Sequence, residues 1–157
     1  DAVEILNKKG VSYESKISGG IDLENKIKIF KYIDSNPNIE YSKPIRGKEK
    51  IEAYLSSNVF ILPTYYKMEG QPISLLEAMY TGNIIITTDH AGILGICSNQ
   101  NGFIVEKKSP IKIAAKLEVI ANSLDDFKDT MIHNHNYAKN NFKPEDFINR
   151  LADILKQ

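Results

Sequence analysis

The sequence predicts an α/β fold: a doubly wound, mostly parallel sheet with helices on both faces. Three observations predict it. Two short apolar runs, Val59-Phe60-Ile61-Leu62 and Ile84-Ile85-Ile86, read as strands covered on both sides. Other segments space their apolar residues for a helix, as Leu23, Ile27, Phe30 and Ile33 do. Strands and helices alternate along the chain, the pattern that builds a parallel sheet.

The elements follow in order. Residues 2–9 are the tail of a helix that Gly10 ends. Residues 11–18 alternate as a strand, closed by Gly19-Gly20. A helix over 22–35 stops at Asn36-Pro37, because the residue before proline leaves the helical region. Ile39-Glu40-Tyr41 is a short strand, and 48–57 a helix with Ile51, Tyr54 and Leu55 inward. Strand 59–62, helix 73–81, strand 84–87 and strand 103–105 come next. Pro110 sits in the first turn of a helix that reaches Ser123, where its missing N–H costs nothing. Helices over 125–141 and 145–156 close the chain. There is no internal repeat or low-complexity tract.

With 157 residues, 42% of them hydrophobic, the chain is read as one domain, residues 1–157, with a real core. Acidic and basic residues balance at 20 each, which argues against nucleic acid as a partner. Lys107-Lys108 and the stretch from Arg46 to Lys50 are local basic patches, read as solvated surface. A single cysteine, Cys97, excludes an internal disulfide and suits a reducing, cytoplasmic compartment. Beside Ile96, it reads as a buried structural thiol. No apolar run approaches the roughly 20 residues of a membrane span.

Residues 69–88 carry the most chemistry. Glu69 stands on a loop, Gly70-Gln71-Pro72 makes a turn, and an apolar helix follows with Glu77 inside it. Gly82 stops that helix, and a β-branched run begins. The first N–H groups of a helix lack internal partners, and the helix dipole adds positive charge there, so phosphate binds readily. Carboxylates accept hydrogen bonds from sugar hydroxyls. Glutamates on either side of an N–H cradle therefore suit a nucleotide-sugar, with hydroxyls at both ends of a diphosphate. Two glutamates eight apart are also common on any soluble surface, and Gly-x-Pro is an ordinary helix start. The flanking buried strands favour the ligand reading, because open α/β sheets bind ligands beyond the carboxyl ends of their strands.

The stretch resembles the signature of the large group 1 family of retaining GT-B glycosyltransferases. The family pattern runs from a strand ending in Pro-Ser/Thr through Glu-Gly-x-x-x-x-x-x-Glu-Ala-Met to Gly and a strand ending in Thr. Here it reads Leu62-Pro63-Thr64, Glu69-Gly70, Glu77-Ala78-Met79, Gly82 and Ile86-Thr87-Thr88. Asp89-His90-Ala91-Gly92-Ile93, Asn101-Gly102-Phe103-Ile104-Val105 and the segment Tyr137 to Phe142 with Phe147 extend the likeness over nearly the whole chain.

The resemblance implies a Rossmann-like donor-binding domain, one half of a GT-B enzyme. It implies that Glu77 accepts from the ribose hydroxyls of the donor nucleotide. Glu69 is the catalytic candidate, meeting the donor sugar near its reacting carbon. Gly70, Gln71, Pro72, Ile73 and Ser74 face sugar and phosphates. Ile45, after Pro44, packs on the nucleobase with Lys50 nearby, and Gly19-Gly20 matches a glycine near the phosphates. Gln71 stands where the family often has phenylalanine. The first strand of the family's domain, its Arg/Lys diphosphate clamp and the N-terminal acceptor domain have no counterpart here. A piece of a longer protein, inactive alone, is therefore expected.

The implied reaction moves a hexose from a nucleoside diphosphate to a sugar or lipid-linked acceptor with retention of configuration, in bacterial surface polysaccharide or glycolipid synthesis. The expected place is the cytoplasm, at the inner face of the membrane where the full-length protein would associate peripherally. No cofactor or metal is expected: His90, His133 and His135 make no metal set, since His133 and His135, two apart, fall on different helix faces, and the sequence has no Asp-x-Asp pair flanked by apolar strands. The competing readings are a non-enzymatic phospholigand-binding module of the same shape and a GT-B sugar-nucleotide epimerase, which the segment from Glu69 to Glu77 fits less well.

Overall fold

A computed structural model describes residues 1–155. The element order is α1 (Ala2–Lys8), β1 (Ser15–Ser18), α2 (Lys26–Asp34), β2 (Ile39–Ser42), α3 (Gly47–Leu55), β3 (Val59–Leu62), α4 (Ile73–Tyr80), β4 (Ile84–Thr88), a 3-10 turn (Ala91–Gly95), β5 (Gly102–Val105), α5 (Pro110–Asn122), a 3-10 turn (Leu124–Phe127), α6 (Lys128–Asn141) and α7 (Pro144–Leu155). Lys156, the last residue of the expected final helix, lies outside the described residues.

Every strand pairing is parallel, and the strands form two sheets, β1-β2 and β3-β4-β5. β4 is the centre of the larger sheet, and all five of its residues are buried. Its isoleucines alternate. Ile85 joins Leu75, Ala78 and Met79 of α4, Ile93, Ile96, Cys97 and Ala138 of α6 on one face. Ile84 and Ile86 join Val105 and Ile120 of α5 on the other. Helices thus cover both faces of β4, as a doubly wound sheet requires. Each buried isoleucine contributes about 1.5–3 kcal/mol, so this strand anchors the domain.

Local chemistry sets the remaining positions. At the end of α4, Gly82 takes φ +81, and the Gly82 and Asn83 N–H groups bond the Met79 and Ala78 carbonyls, both at 2.9 Å. This double closure turns the chain straight into β4. Asn134 of α6 is fully buried; its Nδ2 donates to the Asn83 and Asn101 carbonyls at 2.7 and 2.9 Å, and its Oδ1 accepts from Asn101 Nδ2 at 2.9 Å. One side chain thereby fastens α6 to the starts of β4 and β5.

Several expectations need correction. The strand read over 11–18 pairs only from Ser15, where the register with Ile39 begins. The helix read from residue 22 starts at Lys26, and Leu23 and Ile27 are 87% and 85% exposed. Ile51 and Leu55, read as inward, are exposed on α3, while Tyr54 is half-buried. Neither helix has a fully buried residue: α2 packs on β2 at the edge of the small sheet, and α3 turns Tyr54 toward α4 and β3. The helix read over 125–141 is a 3-10 turn followed by α6. Among the described residues no helix is long and apolar enough to cross a membrane.

Candidate functional site

α4 starts directly from the turn. Pro72 precedes it at φ −69°, ready for a helix start, and is buried. No side chain caps this helix end, so its first N–H groups are left for other acceptors. Ile73 is 69% exposed and Ser74 half-buried, while Leu75, Ala78 and Met79 hold the helix to the sheet. Gly70 and Gln71 are exposed, and a Cβ at Gly70 would meet no protein atom within 4 Å. Its lack of a side chain therefore leaves open space on the solvent side of the turn.

Glu77 faces α3. Lys50 Nζ forms an ion pair with its Oε1, and the Tyr54 hydroxyl donates to its Oε2 at 3.2 Å. About a third of each of the Lys50 and Glu77 side chains is exposed. The Tyr54 ring stands edge-on to Phe60, with centroids 5.6 Å apart. Burial, then the Glu77 charge and the hydrogen bond to it, pushes the Tyr54 hydroxyl up to about 12. These groups line a groove of about 480 Å³ between α3 and α4 that runs on to Tyr80 and His135. Its size is within the range of small-molecule sites.

Glu69 is half-buried at the end of the preceding loop, and its N–H bonds the Tyr66 carbonyl at 3.0 Å. A second hollow, about 640 Å³, is lined by Thr64 to Met68 and stops one residue short of Glu69. Neither hollow is lined by both glutamates. The loop is tied down from the end of β4 and the residues after it: Thr88 Oγ1 donates to the Thr64 carbonyl, and His90 Nε2 lies 2.7 Å from the Tyr66 carbonyl. That geometry puts the imidazole proton on Nε2.

The other candidates sit as follows. The Ile45 N–H bonds Ser18 Oγ at 3.2 Å, which fastens the loop before α3 to the end of β1. Lys50, read beside a nucleobase, forms an ion pair with Glu77. Gly19 accepts from the Tyr41 hydroxyl at 2.8 Å, and Gly20 is exposed after it. Cys97 is buried, and burial pushes its thiol up to about 11. His133 stacks on Tyr137, and His135 Nδ1 donates to the Tyr80 carbonyl at 2.6 Å. Sequence reasoning missed Tyr54 as a site residue. The available signal was its place four residues after Lys50, which puts both side chains on one helix face.

The family model described as Glycosyl transferases group 1 matches residues 1–143. The capsular polysaccharide biosynthesis glycosyltransferase CapM of Staphylococcus aureus is 30% identical over 134 residues. The match takes in 83% of this chain and 34% of CapM, so the chain spans about a third of that relative's length. Among solved structures, a variant of S. aureus TarM in complex with fondaparinux, alpha-GlcNAc-glycerol and UDP superposes with a TM-score of 0.84 at 19% identity. It is covered over 99% of this chain and 31% of its own. The C-terminal domain of LpcC, a glycosyl transferase group 1 family protein from Francisella tularensis, has a TM-score of 0.68 at 16% identity, covering 92% of this chain and 94% of that one. At these identities the structures show a shared fold.

Proposed function

As the chain belongs to the group 1 glycosyl transferases, we propose that it is the donor-binding part of a hexosyltransferase. The donor is a nucleoside diphosphate sugar. The acceptor is a sugar or lipid-linked sugar in bacterial surface polysaccharide or glycolipid synthesis, and the anomeric configuration is retained. The rest of a longer polypeptide supplies the acceptor side, and this chain alone binds donor without turning it over.

The observation that carries the reading is Glu77, held by Lys50 and Tyr54 on a helix whose first N–H groups no side chain caps. Ribose hydroxyls donate to the carboxylate. The diphosphate lies toward the N–H groups of Ile73 and Ser74, and Glu69 meets the sugar. As the glycosidic bond breaks, negative charge grows on the leaving diphosphate. Fixed N–H dipoles stabilise that charge without having to reorganise. Binding and transfer on this reading need no metal ion. The UDP in the TarM complex makes uridine nucleotides the first to test.

The test is calorimetry with UDP, GDP and ADP on the intact protein and on its Glu77→Ala variant. One nucleotide should bind, and Glu77→Ala should weaken it at least tenfold, about 1.4 kcal/mol. Binding by none of the three, or binding indifferent to Glu77→Ala, overturns the reading. Turnover with labelled nucleotide-sugars separates it from a non-enzymatic binding module.

A further inference from the structure

A carboxylate has about four lone-pair positions. In Glu77 two of them are taken up among the described residues, one on each oxygen: Lys50 at Oε1 and Tyr54 at Oε2. One position per oxygen is left, the number a vicinal diol needs. We propose that Tyr54 is a positioning residue which fixes the rotation of the Glu77 carboxylate, and so sets a preference for ribose over 2′-deoxyribose in the bound nucleoside diphosphate. The proposal rests on the donor-binding reading given above.

Lys50 and Tyr54 hold Glu77 in different ways. An ammonium is a point charge on a long stem with three rotatable donors. It neutralises Glu77 but leaves the carboxylate free to swivel about the contact. Tyrosine has two side-chain torsions and one hydroxyl at the end of a rigid ring. The Tyr54 ring is edge-on to Phe60, and its backbone carbonyl accepts from Asn83 Nδ2 at 3.0 Å. Asn83 is itself buried in the turn that ends α4. The ring is thus referenced to both α4 and β3. An ionised carboxylate only accepts, so the Tyr54 proton points at Oε2. The high pKa of the hydroxyl keeps that proton in place across the working range. With the carboxylate plane set, one oxygen serves each ribose hydroxyl. Without it, the plane turns about Lys50 and one of the two bonds is lost.

The experiment uses the intact protein, whichever of UDP, GDP and ADP it binds, and the matching 2′-deoxynucleoside diphosphate. Tyr54→Phe removes one oxygen and keeps the ring against Phe60. The wild type should prefer the ribonucleotide about tenfold. In Tyr54→Phe the ribonucleotide should weaken about tenfold and the deoxynucleotide hardly at all, so the preference disappears while the melting temperature holds. A preference that survives in Tyr54→Phe, a wild type that binds both sugars alike, or equal weakening of both ligands overturns the proposal. Binding of no nucleoside diphosphate, or binding indifferent to Glu77→Ala, instead overturns the donor-binding reading beneath it.

Discussion

Gly92 tests whether the turn before α4 is where the chemistry happens. It lies in the 3-10 turn after β4, following Ala91, which is itself in the left-handed region at φ +48. A Cβ at Gly92 would stand 2.5 Å from the Gly70 carbonyl oxygen and 3.0 Å from its carbon. Ordinary contact begins at 3.4 Å, so Gly92→Ala demands a movement of about 0.9 Å. Three buried residues pin α4, and Ile93 is fully buried in the same cluster. The exposed Gly70-Gln71 peptide is therefore the part that yields. A shift of about 1 Å in a positioning element can cost on the order of 100-fold in rate, while overpacking costs about 1–3 kcal/mol of stability. We expect kcat/KM for the donor in the intact protein to fall about 10- to 100-fold in Gly92→Ala, with the fold retained. Gly95→Ala is the control, because a Cβ there meets nothing within 4 Å. It should behave as wild type. If Gly92→Ala turns over donor as fast as Gly95→Ala, the turn does not hold the donor and the reasoning fails.

Two further predictions concern stability and reactivity. Asn134→Ala removes three buried hydrogen bonds; at about 1 kcal/mol each, and more where a partner is left unpaired, unfolding in urea should become easier by about 3 kcal/mol with an unchanged slope. A loss under 0.5 kcal/mol would show that α6 is held in some other way. The Cys97 thiol, raised from 9.0 to about 11 by burial, should resist a thiol reagent at pH 8 until the chain unfolds. Below pH 9.0 both states keep the proton; as pH rises toward 11 the unfolded state releases it first, so this thiol favours unfolding progressively across that window. Rapid labelling of the native chain at pH 8 contradicts the burial.

What could be read from the sequence was what its neighbours in sequence decide. Strand 59–62, the start of α4 and its stop at Gly82 all follow from local signals, and the structure has them in place, but β3, read as covered on both sides, is only partly buried and leaves Ile61 exposed. Cys97 was legible as a buried thiol because it follows Ile96 in an apolar stretch. Leu23 and Ile27 misled because helical spacing says which residues share a face and nothing about what covers that face. In the site, Glu77 was marked by its motif. Its partners were not, because Lys50 and Tyr54 stand 27 and 23 residues away on another helix. The Gly92–Gly70 approach was hidden for the same reason: contact between two loops has no periodicity to announce it.

The two sheets and the site have one geometric explanation. A doubly wound sheet runs in the order 3-2-1-4-5-6, and its ligands lie where that order reverses. The observed orders, β1-β2 and β3-β4-β5, match the 2-3 and 4-5-6 portions. On that matching β1 and β3, each at an edge of its sheet, are the strands nearest the reversal. Ile17 on β1 and Ile61 on β3 are 44% and 38% exposed, unusually open for isoleucines in parallel strands. The loop from Thr64 to Glu69 leaves the carboxyl end of β3, the strand beside the reversal. Glu69 and the start of α4 therefore take their place from the topology of the sheet. Their spacing to Glu77 follows from the single helix that carries it.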